Sequence, residues 1–517
     1  MNGADLLCDT LLANDVDVCF ANPGTSEMHF VAALDRKPQL RCVLGLFEGV
    51  VTGAADGYAR MADKPAATLL HTGPGLANGL ANLHNARRAG MPVVNIVGDH
   101  ASYHLPYDAP LTSDIEGLAR PMSRWVGRAT GPSDMSAKAA EAIAAARHPE
   151  SGVATLILPA DAAWTEAAPQ DPVIARPEAA ARVESATVAT AAAALRENLD
   201  ETILLLGGGA VREAGLRLAG AIAEATGVIV LAQQANARMA RGQGRIALDR
   251  APYVVAQAVE RFARTRRLIL VGAKSPVGFF AYPGLPSSPL PEGCEVITLA
   301  GAGDDAEAAL ADLAGALGLP PGTAPRIPAR EAPALPTGAL TPDSIGACLG
   351  ALMPEQAIVC DEAITSGRGF YRHTQAAAPH DFLQLTGGAI GEGLPMSVGA
   401  AIACPDRKVI ALQADGSGMY TLQALWTMAR EGLDVLVVIF ANRTYKILHG
   451  ELKNVGAGAP GRNARSMLDL DAPILDWVSL ARGMGVEAAR AETAETFADL
   501  FRAARDRKGP FLIEALI

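Results

Sequence analysis

Asp415 and Asn442 stand 27 positions apart, each directly after an apolar run. Lys408–Gln413 reads as a buried strand that ends at Ala414-Asp415-Gly416-Ser417. An amphipathic helix is expected over roughly Leu422–Glu431, and Val435–Phe440 is a second strand that ends at Asn442. In a parallel strand–helix–strand unit both turns lie at the carboxyl edge of the sheet, so the carboxylate and the amide can meet there. With a loop carbonyl at Thr444 they make a hard oxygen site suited to Mg²⁺, an ion that shares its coordination sphere with phosphate oxygens. Gly416 and Ser417 leave backbone donors near a helix N-terminus, which favours an anion.

A second group of candidates lies in the first third. Strand Asp17–Phe20 ends in the loop Asn22-Pro23-Gly24-Thr25-Ser26, strand Cys42–Phe47 delivers Glu48, and strand Ala66–Leu70 ends at His71-Thr72-Gly73-Pro74-Gly75. In a parallel sheet these ends gather in one crevice. A later strand, Val93–Val97, leads to Asp99 and His100. Glu48 has apolar neighbours on both sides. It is either a carboxylate favoured by a helix dipole or an acid/base group whose pKa burial raises. In the last third, strand Gln356–Cys360 leads to the hydroxyls of Thr365 and Ser366, which could bond a diphosphate. Leu385–Pro395 is a glycine-rich approach to another helix.

The elements that must carry these residues alternate strand and helix, which predicts an α/β chain. At 517 residues it is long enough for three domains, expected at 1–166, 180–318 and 337–517, with linkers at 167–177 and 319–336. The middle third opens with strand Thr202–Leu206 and the turn Gly207-Gly208-Gly209-Ala210. That turn lacks the spacing and acidic partner of a dinucleotide fingerprint and reads as a tight strand–helix connection. A net charge of −11 argues against nucleic acid or an anionic membrane as partner. Seven cysteines without metal-ligand spacing, and no export signal or bilayer-spanning run, make a cytoplasmic enzyme with free thiols the expectation.

The Asp415-Gly416…Asn442 constellation resembles the thiamine diphosphate (ThDP) signature, with Ala414 where the first glycine usually stands. Glu48 to Arg60 resembles the glutamate-bearing segment of the acetolactate synthase and benzoylformate decarboxylase family. Asn22-Pro23-Gly24 and His71–Gly75 resemble its flanking loops. The resemblance implies three doubly wound parallel-sheet domains: pyrimidine-binding, middle Rossmann-like and diphosphate-binding. It implies that Glu48 shares a proton with pyrimidine N1′ and that Ile390 wedges beneath the cofactor, with the backbones of Gly388 and Ile390 against the aminopyrimidine. Asp415, Asn442 and Thr444 would hold Mg²⁺, with Gly416, Ser417 and Tyr445 beside the diphosphate. His71 and His100 become proton carriers, and Ser26 a holder of substrate carboxylate.

The implied reaction is non-oxidative decarboxylation of a 2-oxo acid with carboligation or aldehyde release. A 2-hydroxyacyl thioester lyase, a silent ThDP-binding homologue and a nucleotide-dependent oxidoreductase are the alternatives. The assembly implied is a homodimer with cofactors across its interface, paired again into a dimer of dimers; the small-residue helix Gly49–Met61 suits such packing. Flavin is not expected: no extended motif supports it, and the chain ends at an apparent last strand without a C-terminal lid. One departure stands out. Benzoylformate decarboxylases carry a second active-site histidine from the middle domain, where the pattern here gives Phe279-Phe280, which favours ligation or another proton donor such as His100. Ile447 and Glu451 are expected to wall the pocket, although a carboxylate beside an anionic substrate has no explanation in this scheme.

Overall fold

The computed structural model describes residues 1–197 and 201–517. Three parallel-sheet α/β units follow one another along the chain. The first sheet runs, in spatial order, Arg41–Leu44, Val18–Asn22, Ala66–Leu70, Val93–Asp99, Val153–Pro159, Trp125–Arg128. The strands leading to Ser26, Glu48 and His71 are therefore three immediate neighbours. The register pairs Ala21 with Leu44 and Asn22 with Leu70, so their carboxyl ends are level.

The last sheet repeats this logic. Val435–Ala441, Val409–Ala414, Ala357–Glu362 and His380–Gln384 lie side by side and all parallel. From one side to the other, their carboxyl ends carry the Asn442 loop, Asp415, the Thr365-Ser366 turn and the glycine-rich segment. The central strands are buried on both faces, as their uninterrupted apolar runs require.

Several boundaries differ from the sequence expectation. The strand before Glu48 stops at Leu44, and Gly45-Leu46-Phe47 forms the turn. Asp415–Gly418 is a helical turn of its own, and the following helix starts at Ala424 rather than Leu422. Asp361 and Glu362 belong to the strand itself. Met239–Arg241, from the middle third, adds an antiparallel edge to the last sheet by pairing with His380–Phe382.

The small residues of helix Glu48–Ala62 also have a different use. Gly53 faces Pro395, Gly57 faces the Met396 backbone, and Gly399 of helix Gly393–Ala403 faces Ala54 and Tyr58. The close helix crossing that suggested a subunit interface is made within one chain, so it gives no argument for a dimer. Among the described residues, no helix is long and apolar enough to cross a membrane.

Candidate active site

Glu48 is the first residue of its helix and is almost fully buried, 8% exposed. Asn78 donates to its Oε2 at 3.0 Å, and among the described residues Oε1 has no hydrogen-bond donor. Beside it, His71 Nδ1 lies 2.8 Å from Oε2 of the fully buried Glu27. The same oxygen accepts the Gly24 amide at 2.7 Å. Gly24 has no Cβ because one there would strike the His71 imidazole. Burial pushes the Glu27 carboxyl up, against the opposing pull of Gly24 and His71. A hydrogen bond from Nδ1 to this carboxylate fixes the ring and leaves Nε2 as its exchangeable end.

His100 presents a buried Nε2 with no partner and stacks 5.5 Å from the His104 ring. Among the described residues, the Ser26 hydroxyl has no hydrogen-bond partner. Thr72, next to His71, has φ of +52°, and Ile364 and Arg443 have +51° and +57°. Left-handed backbone at β-branched or bulky residues is strained. All three positions adjoin candidate site residues.

In the last sheet, the buried Asp415 accepts the Arg443 amide on Oδ2 at 2.6 Å and the Gly416 amide on Oδ1 at 2.8 Å. Burial pushes its carboxyl up, and these backbone donors oppose the rise. Asn442 Oδ1 accepts the Thr444 amide at 3.0 Å. The carboxylate and the amide oxygen thus sit on consecutive amides of one turn. The Thr444 hydroxyl is turned away to Asp469 Oδ1 at 2.9 Å. Its carbonyl takes the Lys446 amide at 2.9 Å and keeps a second lone pair. This donor set, with one carboxylate and neutral oxygens, fits a magnesium ion that completes its sphere with phosphate and water. Tyr445 lies against Gly416, where a Cβ would meet its ring at 2.5 Å. Among the described residues, the hydroxyls of Thr365 and Ser366 have no hydrogen-bond partner, as a diphosphate site requires.

The glycine-rich segment is the most tightly specified part of the site. Glu362 accepts the amides of Gly391 and Glu392, both at 2.7 Å, and that of Gly393. Thr421 and Asn82 donate to the Gly391 carbonyl at 2.9 and 3.1 Å. Asn85 binds both backbone groups of Ala389, and His84 lies 3.1 Å from the Gly387 carbonyl. Arg60, itself fully buried between Asp56 and Glu392, ties the same segment to the Glu48 helix. Burial alone would depress its guanidinium; the two carboxylates outweigh that and hold it above its ordinary range. Among the described residues, no hydrogen bond reaches the backbone of Gly388 or Ile390. Those two residues alternate with Gly387, held at its carbonyl, and with Ala389 and Gly391, held at both backbone groups, which is the pattern an edge-on heteroaromatic ring would complete.

From the middle unit, Phe279 reaches this place: a Cβ on Gly388 would lie 2.5 Å from its Cζ. Phe279 stacks on Phe280 and Tyr253 at 5.1 and 5.4 Å. Glu451 faces this wall. Its charge and hydrogen bonding raise the Tyr282 hydroxyl pKa after burial, and its charge does the same to Tyr253. It is thus engaged by tyrosines of the middle unit. His449 is paired with Asp469 at 2.9 Å.

Sequence reasoning missed Glu27, Asn78, Asn82, Asn85 and Glu362. The three asparagines lie at spacings of four and three on helix Thr72–Ala89, a polar stripe on one helical face. That stripe was the legible signal for them.

Comparison with known proteins agrees with this geometry. Residues 1–118 match the model of the thiamine pyrophosphate enzyme N-terminal TPP binding domain, and residues 365–515 that of the C-terminal TPP binding domain. The chain belongs to the thiamine pyrophosphate enzyme family. A Mycobacterium tuberculosis protein provisionally named acetolactate synthase large subunit IlvX is 51% identical over 520 residues, covering 100% of this chain and 99% of that protein. The benzoylformate decarboxylase of Pseudomonas aeruginosa is 29% identical, covering 98% and 97%. The structure of a ThDP-dependent 4-hydroxybenzoylformate decarboxylase from Rhodococcus jostii superposes with a TM-score of 0.86 at 26% identity, covering 99% of this chain and 98% of that one. The protein is an enzyme of the ThDP-dependent 2-oxo acid decarboxylase and acetolactate synthase-like group.

Proposed function

We propose that the chain binds ThDP with Mg²⁺, removes carbon dioxide from a 2-oxo acid without oxidation, and joins the acyl remainder to a second carbonyl compound. The observation that carries the cofactor reading is the free backbone of Gly388 and Ile390 among neighbours that are all hydrogen-bonded. When bound, ThDP supplies the nucleophilic carbon and the electron sink for such chemistry. Asp415, Asn442 and the Thr444 carbonyl would hold the metal, Thr365 and Ser366 the diphosphate, and Ile390 the bent ring system. Glu48 Oε1, left open by Asn78, carries the proton exchanged with the pyrimidine. His71, fixed by Glu27, would offer Nε2 to a substrate carboxylate or to a departing proton, and Ser26 and His100 would share those tasks.

Phe279 supports ligation over aldehyde release: an apolar ring stands where a proton donor would be needed. The test is product identification by mass spectrometry from a panel of 2-oxo acids and 2-hydroxyacyl thioesters with ThDP and Mg²⁺. Ligated hydroxyketone is expected. Aldehyde alone would favour the benzoylformate decarboxylase-like reading, and thioester cleavage the lyase.

We further infer a homodimer, paired again into a dimer of dimers, with domains at 1–166, 180–318 and 337–517. What supports the pairing is exposed apolar bulk beside both half-sites: Met28 and Leu46 on one, Tyr420, Leu448 and Met467 on the other. Mixing the inactive variants Glu48→Gln and Asp415→Ala under subunit exchange should restore up to about a quarter of wild-type activity if sites are shared. No recovery despite exchange would mean that each chain builds its site alone. A cytoplasmic location accords with the seven unpaired cysteines.

A further inference from the structure

Asn85 sits in the fourth turn of helix Thr72–Ala89 and is fully buried. Its Nδ2 donates to the Ala389 carbonyl at 2.7 Å, and its Oδ1 accepts the Ala389 amide at 3.2 Å. A backbone amide can only donate and a carbonyl only accept, so the orientation of this side chain is fixed by its partners. The arrangement copies a strand ladder: one side chain replaces the neighbouring strand for a single residue. Gly387 makes the approach possible, since a Cβ there would meet both the Asn85 side chain and its Cα.

Asn85 also donates to Asn82 Oδ1 at 2.9 Å, and Asn82 in turn donates to the carbonyls of Gly49, at 2.7 Å, and Gly391. Gly49 follows Glu48. Two asparagines therefore join the first turn of the Glu48 helix to the residue that lies between Gly388 and Ile390.

We propose that Asn85 is a positioning residue for the cofactor's pyrimidine ring: by clamping both backbone groups of Ala389 it aims the open backbone of Gly388 and Ile390 at that ring.

 

The clamp acts on Ala389 alone, and the two residues beside it stay free because their neighbours are held. This role rests on the ThDP reading given above.

The experiment uses the full chain, without cofactor and with ThDP plus Mg²⁺. Asn85→Ala removes both bonds to Ala389 and the one to Asn82, and Asn85→Asp keeps the shape and the acceptor but loses the donor. Two readouts are taken: backbone amide exchange across 386–392 in the cofactor-free protein, and ThDP affinity by calorimetry. Near-ultraviolet circular dichroism of the bound pyrimidine accompanies the second. Wild type should bind ThDP and protect the Ala389 amide. Asn85→Ala should lose that protection, which Asn85→Asp keeps through its remaining acceptor, and both variants should bind ThDP at least about tenfold more weakly and change the dichroism of the bound ring. A purely structural Asn85 would lower the unfolding midpoint yet leave affinity within about twofold and the dichroism unchanged, which overturns the proposal. Should Asn85→Ala fail to fold, Asn85→Asp is read by ThDP affinity and dichroism. If wild type itself bound no ThDP, the cofactor reading would fall first and this role with it.

Discussion

Two glycine-rich turns follow strands in this chain, and they behave differently. In Gly387–Gly393, side chains from two domains engage the backbone at nearly every position, and only Gly388 and Ile390 stay open. In Gly207–Ala210 the glycines answer to the chain's own strand ends. Gly207 donates to the Val271 carbonyl at 2.9 Å, and a Cβ on it would lie 2.7 Å from the Gly272 carbonyl. The first turn is shaped around two open backbone positions; the second is shaped by the close ends of two neighbouring parallel strands. Glycine content alone does not distinguish them. What does is whether polar side chains from elsewhere have been brought in to fix the backbone.

The largest effect is expected where that fixing is electrostatic. Asp415→Ala should abolish Mg²⁺-dependent ThDP binding, measured by calorimetry, while circular dichroism shows the fold retained, because the residue lies at a strand end. Unchanged affinity would remove Asp415 from the site. Next in size is Glu48→Gln. It keeps the bond to Asn78 through one oxygen but cannot share a proton. ThDP should still bind, and deuterium exchange at the thiazolium C2 should slow by about two orders of magnitude. Exchange at the wild-type rate would leave Glu48 with only a structural part.

A smaller effect concerns Asp361, below the Thr365-Ser366 turn. Burial pushes its carboxyl up to about 6, with the Ala363 amide and Arg250 opposing. A folded pKa above the unfolded value means that the folded state holds the proton more tightly between about pH 4 and 6. Asp361 therefore costs stability as pH rises through that window, and the cost is complete above it. Asp361→Asn should make the cofactor-free protein more stable than wild type at pH 7.5, by about 1–3 kcal/mol, with the gap closing towards pH 4. Denaturant titrations at the two pH values check this. A gap that widened on acidification would reverse the sign and exclude the account.

How much of this was legible in the sequence follows from what kind of signal each feature leaves. Strands buried on both faces are unbroken apolar runs, so Val435–Ala441 and Val409–Ala414 could be read, and with them the juxtaposition of Asp415 and Asn442. Glu48 and His71 were legible as polar residues at the ends of such runs. Glu27 was not: it lies in a short turn, and only the fold brings it under His71. Glu362 was hidden because it belongs to the strand that was expected to end before it. The Met239–Arg241 edge strand is three residues from another domain, too short to carry a period. The helix Glu48–Ala62 misled in the opposite way. Its small residues announced a close approach but not to what, and the partner proved to be helix Gly393–Ala403 of the same chain.

The smallest expected effect tests the comparison from its other side. Gly209 has an ordinary negative φ, and a Cβ there would have Ala306 Cβ as its nearest neighbour, at 3.9 Å. Gly209→Ala should therefore change stability by less than about 0.5 kcal/mol and leave ThDP affinity untouched. Gly387→Ala, one methyl group likewise, should strike Asn85 and weaken ThDP binding. If the two turns differ as described, the same added carbon is silent in one and costly in the other. Should Gly209→Ala instead lower ThDP affinity or activity, the middle turn would be part of the working site, and the distinction drawn from its strand-end contacts would fail.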